Sequence, residues 1–371
     1  MEITKALLEA MQELEDKARH DGYWYSISEV LAIMVCGMLC HLQTIEDIHE
    51  WSIAEPTREF FYQQFGIAKI PCRAQFYNII GCVDSEKFIC AFTKWMHKVV
   101  QSVAGKTIAI DGKTICSTDK LTGNGNALHI ASAIVSEYGL IIGTRECETK
   151  TGEITAFREL INLLDVTGSV VVADALHCTR KSAEAVVEAN ADYLFSVKDN
   201  TPNLKENIAL YVHNETLENC VTVEKNGGRI ETRTAYVANE IDWMDEKNTW
   251  KGLACIGAIH TEFEKAGKTS SEWHYYISSA PLTAQSLLCH ARLEWGVEAM
   301  HWLLDVHFAE DKTRVWDMNV QKTLNLTRKI ALNLAKIFKN NTSSKIPISG
   351  ILKRNLFDLR NLVSFLSSFS N

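Results

Sequence analysis

The spacing of apolar and polar positions divides the chain into three regions. Up to about residue 100 the period is helical. "ITKALLEAMQELEDKA" repeats its apolar residues every three to four positions, and "SEKFICAFTKWMHKVVQSV" does the same before Gly105. Between them "SISEVLAIMVCGMLCHL" opens on Ser26 and Glu29, spaced as a capping box that starts a helix. From Lys106 the pattern changes. "TIAID" reads as a short buried strand, and "ALHIASAIVSEYGLIIGTRECE" as a hairpin turning at Tyr138-Gly139. "EITAFRELINLLD" is then helical, "GSVVVAD" a buried strand, "RKSAEAVVEAN" a helix and "DYLFSVK" a strand. That order predicts a mixed α/β sheet flanked by helices.

Residues from about 203 to 280 alternate with a β period, first around Gly227-Gly228 and then through "LACIGAIHTEFEKAGKTSSEWHYYISSA", which predicts a β-rich insertion. "TAQSLLCHARLEWGVEAMHWLLDVHF" reads as one long helix, and a second helix covers about 319 to 339. The expected organisation is a helical N-terminal domain (1–100), an α/β domain (101–345) carrying the insertion, and a C-terminal tail (346–371).

Composition changes this picture little. At 371 residues, 46% apolar and 23% charged, the chain has the make-up of an ordinary globular protein. The apolar run at 31–42 is too short to span a bilayer, and no basic leader with a cleavage site opens the chain, so the expected location is cytoplasmic, with no membrane partner. Eleven cysteines with no CxxC pair argue against a disulfide framework or a zinc ribbon. Charge adds more. From Lys312 onward eleven Lys and Arg face two acids, a balance of +9 against a chain total of −8, so the first 311 residues carry −17. Such asymmetry marks either a solvated basic helix or a phosphate-contacting surface that includes Arg328 and Lys329.

The chemistry is suggested by two oddities. "TIAID" and "VVVAD" each run buried residues straight into an aspartate, Asp111 and Asp174. Carboxyl ends of strands are where open α/β sheets place their sites, and two adjacent carboxylates repel unless a cation lies between them. Each alone is explained as a cap on a turn or helix; together they fit Mg²⁺ binding. The long helix offers a third acid, Glu298, among Trp295, Val297 and Trp302, with Glu310 as the alternative third acid beyond the helix end.

In this order, "IAIDGKT", "ALHIASA", "EITAFRELINLLD", "VVADALHC", "DYLFSVKDN", "GGRIETR", "YYISSA" and "RLEWGVEAMHWLLDVHFAED" resemble the H-repeat-associated transposases of bacterial insertion sequences. The resemblance covers essentially the whole chain. It implies an RNase H-like DDE catalytic fold with a β-rich insertion and a triad of Asp111, Asp174 and Glu298 holding two Mg²⁺ or Mn²⁺ ions. It further implies that residues 1–100 bind DNA ends and 101–345 are catalytic, with cleavage and 3′-hydroxyl strand transfer on double-stranded DNA, by a homodimer, in a bacterial cytoplasm and on the nucleoid when active. The sequence departs from the family pattern at Glu294 (usually His), Ala299 (Asn), Thr201 (Gln) and Gly227 (His). Lys113 and Lys198 at strand ends, His177 after Asp174, and Arg229 and Arg233 in the insertion hairpin are the expected DNA contacts, alongside Arg328 and Lys329. The competing readings are an RNase H-like nuclease that cuts without joining and a non-catalytic, decayed DNA-binding descendant.

Overall fold

The computed structural model describes residues 3–14, 25–115, 127–147 and 152–369; the end of the first expected helix, residues 15–18, lies outside them. Six helices come first: α1 (Ile3–Gln12), α2 (Ile27–Leu39), α3 (Ile45–Ile53), α4 (Glu55–Phe65), α5 (Arg73–Gly81) and α6 (Ser85–Val100). The Ser26–Glu29 capping box forms at the start of α2, with Oγ of Ser26 accepting from the Glu29 amide at 3.1 Å and the Glu29 carboxylate accepting in return. Nearly every residue of α2 is buried, so its apolar run serves a helical core. Cys36 and Cys40 lie there, and burial pushes the Cys40 thiol up to about 12; the ten described cysteines are all free.

The strands after α6 are β1 (Thr107–Thr114), β2 (His129–Val135), β3 (Leu140–Cys147), β4 (Val170–Ala173) and β5 (Asp192–Val197). Helix α7 (Glu153–Leu163) follows β3, and α8 (Arg180–Glu188) joins β4 to β5. The sheet order here is β3-β2-β1-β4-β5, with β2 antiparallel to its neighbours and β1, β4 and β5 parallel. This is the expected mixed α/β sheet flanked by helices. The β2–β3 hairpin turns at Tyr138-Gly139, where Gly139 has a φ of +63°.

The insertion opens with α9 (Pro202–Asn214), which the β-type reading overlooked, and continues as β6 (Glu218–Asn226), β7 (Arg229–Ala238), β8 (Cys255–Lys265) and β9 (Lys268–Ser278). These four strands extend the same sheet through β9, which pairs antiparallel with β5. Gly227 and Gly228, at φ of +55° and +79°, form the two-residue turn that a tight hairpin requires.

The structure differs from the expected elements at two further places. The helix expected over 283–308 breaks at Trp295 into α10 (Ala284–Glu294) and α11 (Gly296–Phe308). The C-terminal segment, expected as a tail, forms α13 (Ile348–Phe357) and α14 (Leu359–Ser367) after the 24-residue α12 (Met318–Asn341). Helices α13 and α14 pack against α2, α4 and α12 because Ile351, Leu352, Leu362 and Phe365 are buried. Helix α12 in turn lies against α2, α5, α6 and β3, so it is a central core helix.

Candidate active site

Alternation along β1 sends its side chains to opposite faces of the sheet. Thr107 reaches His290 of α10, its Oγ1 2.9 Å from Nδ1, so Thr107, Ala109, Asp111 and Lys113 face the α10–α11 side. Gly112, on the other face, lies against Glu153 of α7. The parallel register pairs Ala109 with Val172, which brings Asp111 level with Asp174 two residues on. Ala173 pairs with Phe195, so Ser196 stands beside Asp174, and Ser196 pairs with Tyr276 of β9. One row across the sheet therefore reads Asp111, Asp174, Ser196, Tyr276. Asp174 itself caps the short 3₁₀ turn Ala175–His177, accepting from the Leu176 amide at 2.9 Å.

The break at Trp295 places Glu294 at the end of α10 and Glu298 in the first turn of α11, both facing that row across a pocket of about 250 Å³. Lys198 and His274 complete its lining. A larger cavity of about 800 Å³ lies between α1 and α6, lined by Glu13, Lys94 and Asp165, and contains none of these groups. The electrostatic consequence of the pocket falls on Glu294. Burial, then the charges of Asp174, Asp111 and Glu298, push its carboxyl up to about 7, with Lys198 opposing. His301, one turn beyond Glu298, places Nε2 3.5 Å from an Asp111 oxygen. That separation is too long for a hydrogen bond, and both ring nitrogens are buried without a hydrogen-bond partner.

Among the described residues, no three His, Cys, Asp or Glu side chains are already gathered as a metal cage. The donor set nonetheless fits a hard divalent cation: Asp111, Asp174 and Glu298 are carboxylates around one pocket, and the Asp111 side chain is 41% exposed. Mg²⁺ keeps several waters and needs only one or two carboxylates directly, so a loose set suits it.

Comparison with known proteins decides the family. A family model described as a transposase DDE domain matches residues 104–334, and one described as DDE_Tnp_1-associated matches residues 8–96. The chain belongs to the DDE transposase family. It is 31% identical over 355 residues to "H repeat-associated putative transposase YhhI" of Escherichia coli (strain K12), covering 91% of this chain and 93% of that protein. YbfD of the same strain, which carries the same description, is 30% identical over 249 residues, 65% of this chain and 97% of that protein. A solved piggyBac transposase synaptic complex with hairpin DNA aligns over 99% of this chain and 78% of that chain, at 13% identity and a TM-score of 0.45, a similarity too low to argue from. Among the described residues, no helix is long and apolar enough to cross a membrane.

Several residues expected to act at the site are elsewhere. Glu310, the alternative third acid, is 2% exposed and bonded to Lys113 at 2.9 Å and Asn325 at 2.6 Å, away from the pocket. Lys113 is held by Asp305, Glu310 and Asp311, so its charge is already matched by acids and does not stand free for phosphate. His177 is fully buried and bonds Glu153, so it does not point at DNA. Arg233 is buried between Glu231 and Glu224. Arg328 and Lys329, expected on a phosphate surface, are 3% and 2% exposed; Arg328 bonds Thr313, and Lys329 bonds Ser132 and Thr144. They face inward because α12 is covered on most sides. Lys198 at the pocket and the half-exposed Arg229, which bonds Glu231, remain placed to meet a partner.

Sequence reasoning missed Ser196, Tyr276 and His274. Ser196 and Lys198 share a strand face by period 2, which was a usable signal; the two β9 residues needed the β5–β9 register. Glu294 was noted only as a departure from the family pattern.

Proposed function

We propose that this chain is the transposase of a bacterial insertion sequence, cleaving a DNA strand at an element's end and joining the freed 3′-hydroxyl to target DNA. The level placement of Asp111 and Asp174, facing Glu298 across one pocket, supports the reading most directly. These three carboxylates would hold two Mg²⁺ or Mn²⁺ ions. Divalent ions bound there supply Lewis-acid activation of the attacking oxygen and stabilisation of the leaving one. Asp111 and Asp174 are fixed by the sheet, while Glu298 comes from a helix whose start is set by the break at Trp295. Burial and the neighbouring acids raise the Glu294 carboxyl to about 7, so in the metal-free protein it is about half-protonated at neutral pH, which lowers the negative charge facing a phosphate. Lys198 adds positive charge beside it. Burial, reinforced by Glu294, raises the Tyr276 hydroxyl well above its ordinary value. Water and then a 3′-hydroxyl would be the nucleophiles. Two element ends must be brought together, so two copies of the chain on DNA are the expected working unit.

The test is incubation of the purified protein with Mg²⁺ and DNA carrying its own flanking ends, with products resolved by size. Joined product supports transposition. Cleavage without joining moves the assignment to a nuclease, and metal-independent binding with no cleavage moves it to a non-catalytic descendant. Asp111→Asn, Asp174→Asn and Glu298→Gln should each abolish cleavage and leave DNA binding nearly intact. Loss of cleavage in Glu310→Gln together with activity in Glu298→Gln would reassign the third acid.

A further inference from the structure

Beneath the sheet, on the face away from the pocket, one buried carboxylate touches both segments that carry the aspartates. Glu153 begins α7 and is 4% exposed. It accepts hydrogen bonds from Nε2 of His129 at 2.8 Å and Nε2 of His177 at 3.0 Å. His129 opens β2 directly opposite Thr114 of β1, and its Nδ1 lies 2.7 Å from the Thr114 hydroxyl. His177 ends the 3₁₀ turn that Asp174 caps, and its ring stacks on Phe157, one helical turn beyond Glu153, at 4.8 Å. The carboxyl group also lies flat against the backbone of Gly112, the residue after Asp111. A Cβ at 112 would collide with it.

Gly112 does not have a positive φ, so its lack of a side chain answers to this close approach and not to backbone conformation. Burial alone would raise the Glu153 carboxyl, but the hydrogen bonds from His129 and His177 outweigh it and hold the group down at about 2. Glu153 is therefore ionised throughout the useful pH range, and two imidazoles satisfy it. A buried charge held this well fixes its surroundings firmly, because moving either histidine leaves one of its oxygens unpaired.

We propose that Glu153, through His129, His177 and the glycine at 112, is a positioning residue that sets the separation of Asp111 and Asp174 from beneath the sheet. It touches neither aspartate and no substrate. This rests on the reading of Asp111 and Asp174 as metal ligands. Residues that orient metal ligands typically change metal affinity by about 10–100-fold when altered. Two acids that repel in the metal-free protein need such a restraint more than neutral neighbours would.

The test is titration of the metal-free protein with Mn²⁺ alone, read by calorimetry or by the rise in melting temperature, for wild type, Glu153→Gln, Gly112→Ala and Asp111→Asn. Glu153→Gln keeps the volume but offers only one acceptor oxygen to two imidazoles. It should weaken Mn²⁺ binding about 10–100-fold, while cleavage at saturating Mn²⁺ recovers to near the wild-type rate. Gly112→Ala, pressing on the same carboxyl from the strand side, should weaken Mn²⁺ binding likewise and serves if Glu153→Gln does not fold. In a Glu153→Ala background Gly112→Ala should add little, because the collision is gone. Loss of Mn²⁺ binding in Asp111→Asn, with Glu153→Gln and Gly112→Ala both binding within about twofold of wild type, well short of that range, overturns the positioning role and spares the metal reading. Wild-type affinity in Asp111→Asn overturns both.

Discussion

Asp111 and Asp174 stand side by side because a parallel register fixes both at once, and Glu294 is the residue that feels the result. Its carboxyl, about 7 in the folded protein against 4.5 for the free group, holds its proton longer when folded. The folded state thus binds more protons, so this contribution to stability is fully present below pH 4.5 and fades as pH rises through 7. A shift of that size corresponds to up to about 3 kcal/mol. Glu294→Gln should therefore flatten the decline in melting temperature between pH 4.5 and 7 and melt higher than wild type at pH 8 without metal. Scans at pH 5, 6, 7 and 8 check this, and an unchanged slope would show that burial and the three acids do not hold the Glu294 proton. At this scale the sequence was legible where one residue broke a strong local pattern: an aspartate after three or four apolar positions. Glu294 and Glu153 break no pattern on their own helices. Their chemistry exists only where separate elements meet, so no local spacing reveals it.

At the scale of elements, the strands of the catalytic sheet, the β2–β3 hairpin and the start of α2 were legible because capping residues and alternation are local signals. The break at Trp295 was not, since the helical apolar period runs through it. Helix α12 shows a different failure. Its basic residues suggested a solvated or phosphate-binding face, yet burial drives Lys329 down to about 8 and Lys336 likewise, with Lys336 donating to the Gly139 carbonyl at 2.6 Å. Charge counted along a sequence does not say which way a side chain points. Lys329, ordinarily 10.5, binds a proton less readily when folded. Its presence costs stability below pH 8, and that loss is relieved as pH rises from 8 to 10.5, by up to about 3 kcal/mol. Lys329→Met should remove this climb, so the difference from wild type, measured by denaturant titration at pH 7 and pH 10, should shrink at the higher pH. DNA affinity should keep its salt dependence in this variant, whereas Lys198→Ala should make it shallower. A shallower slope in Lys329→Met would return α12 to the DNA surface.

The whole molecule joins its parts more closely than the expected division into domains and a tail implied. Nine strands form one sheet through core and insertion, and the C-terminal helices cover α2 and α12. Ending the chain at residue 345 should uncover Leu352, Leu362 and Phe365 and their partners, and so lower the melting temperature sharply instead of trimming a dispensable end. The same closeness ties the proposed metal site to the molecule's stability. Asp111 ends its run of buried strand residues on a charge beside Asp174, in a region that carries most of the −17 of the first 311 residues. Without metal these carboxylates repel, and a ligand that binds only the folded state at 100 times its Kd adds roughly 2.7 kcal/mol. Millimolar Mg²⁺ or Mn²⁺ should therefore raise the wild-type melting temperature. Asp111→Asn removes one charge of the pair and one ligand together. It should melt higher than wild type in the metal-free state and lose most of the metal-dependent rise. A variant that melts lower without metal, yet still gains the full rise with Mg²⁺, would make Asp111 a structural residue of the strand end, and the metal site would have to be sought among other acids.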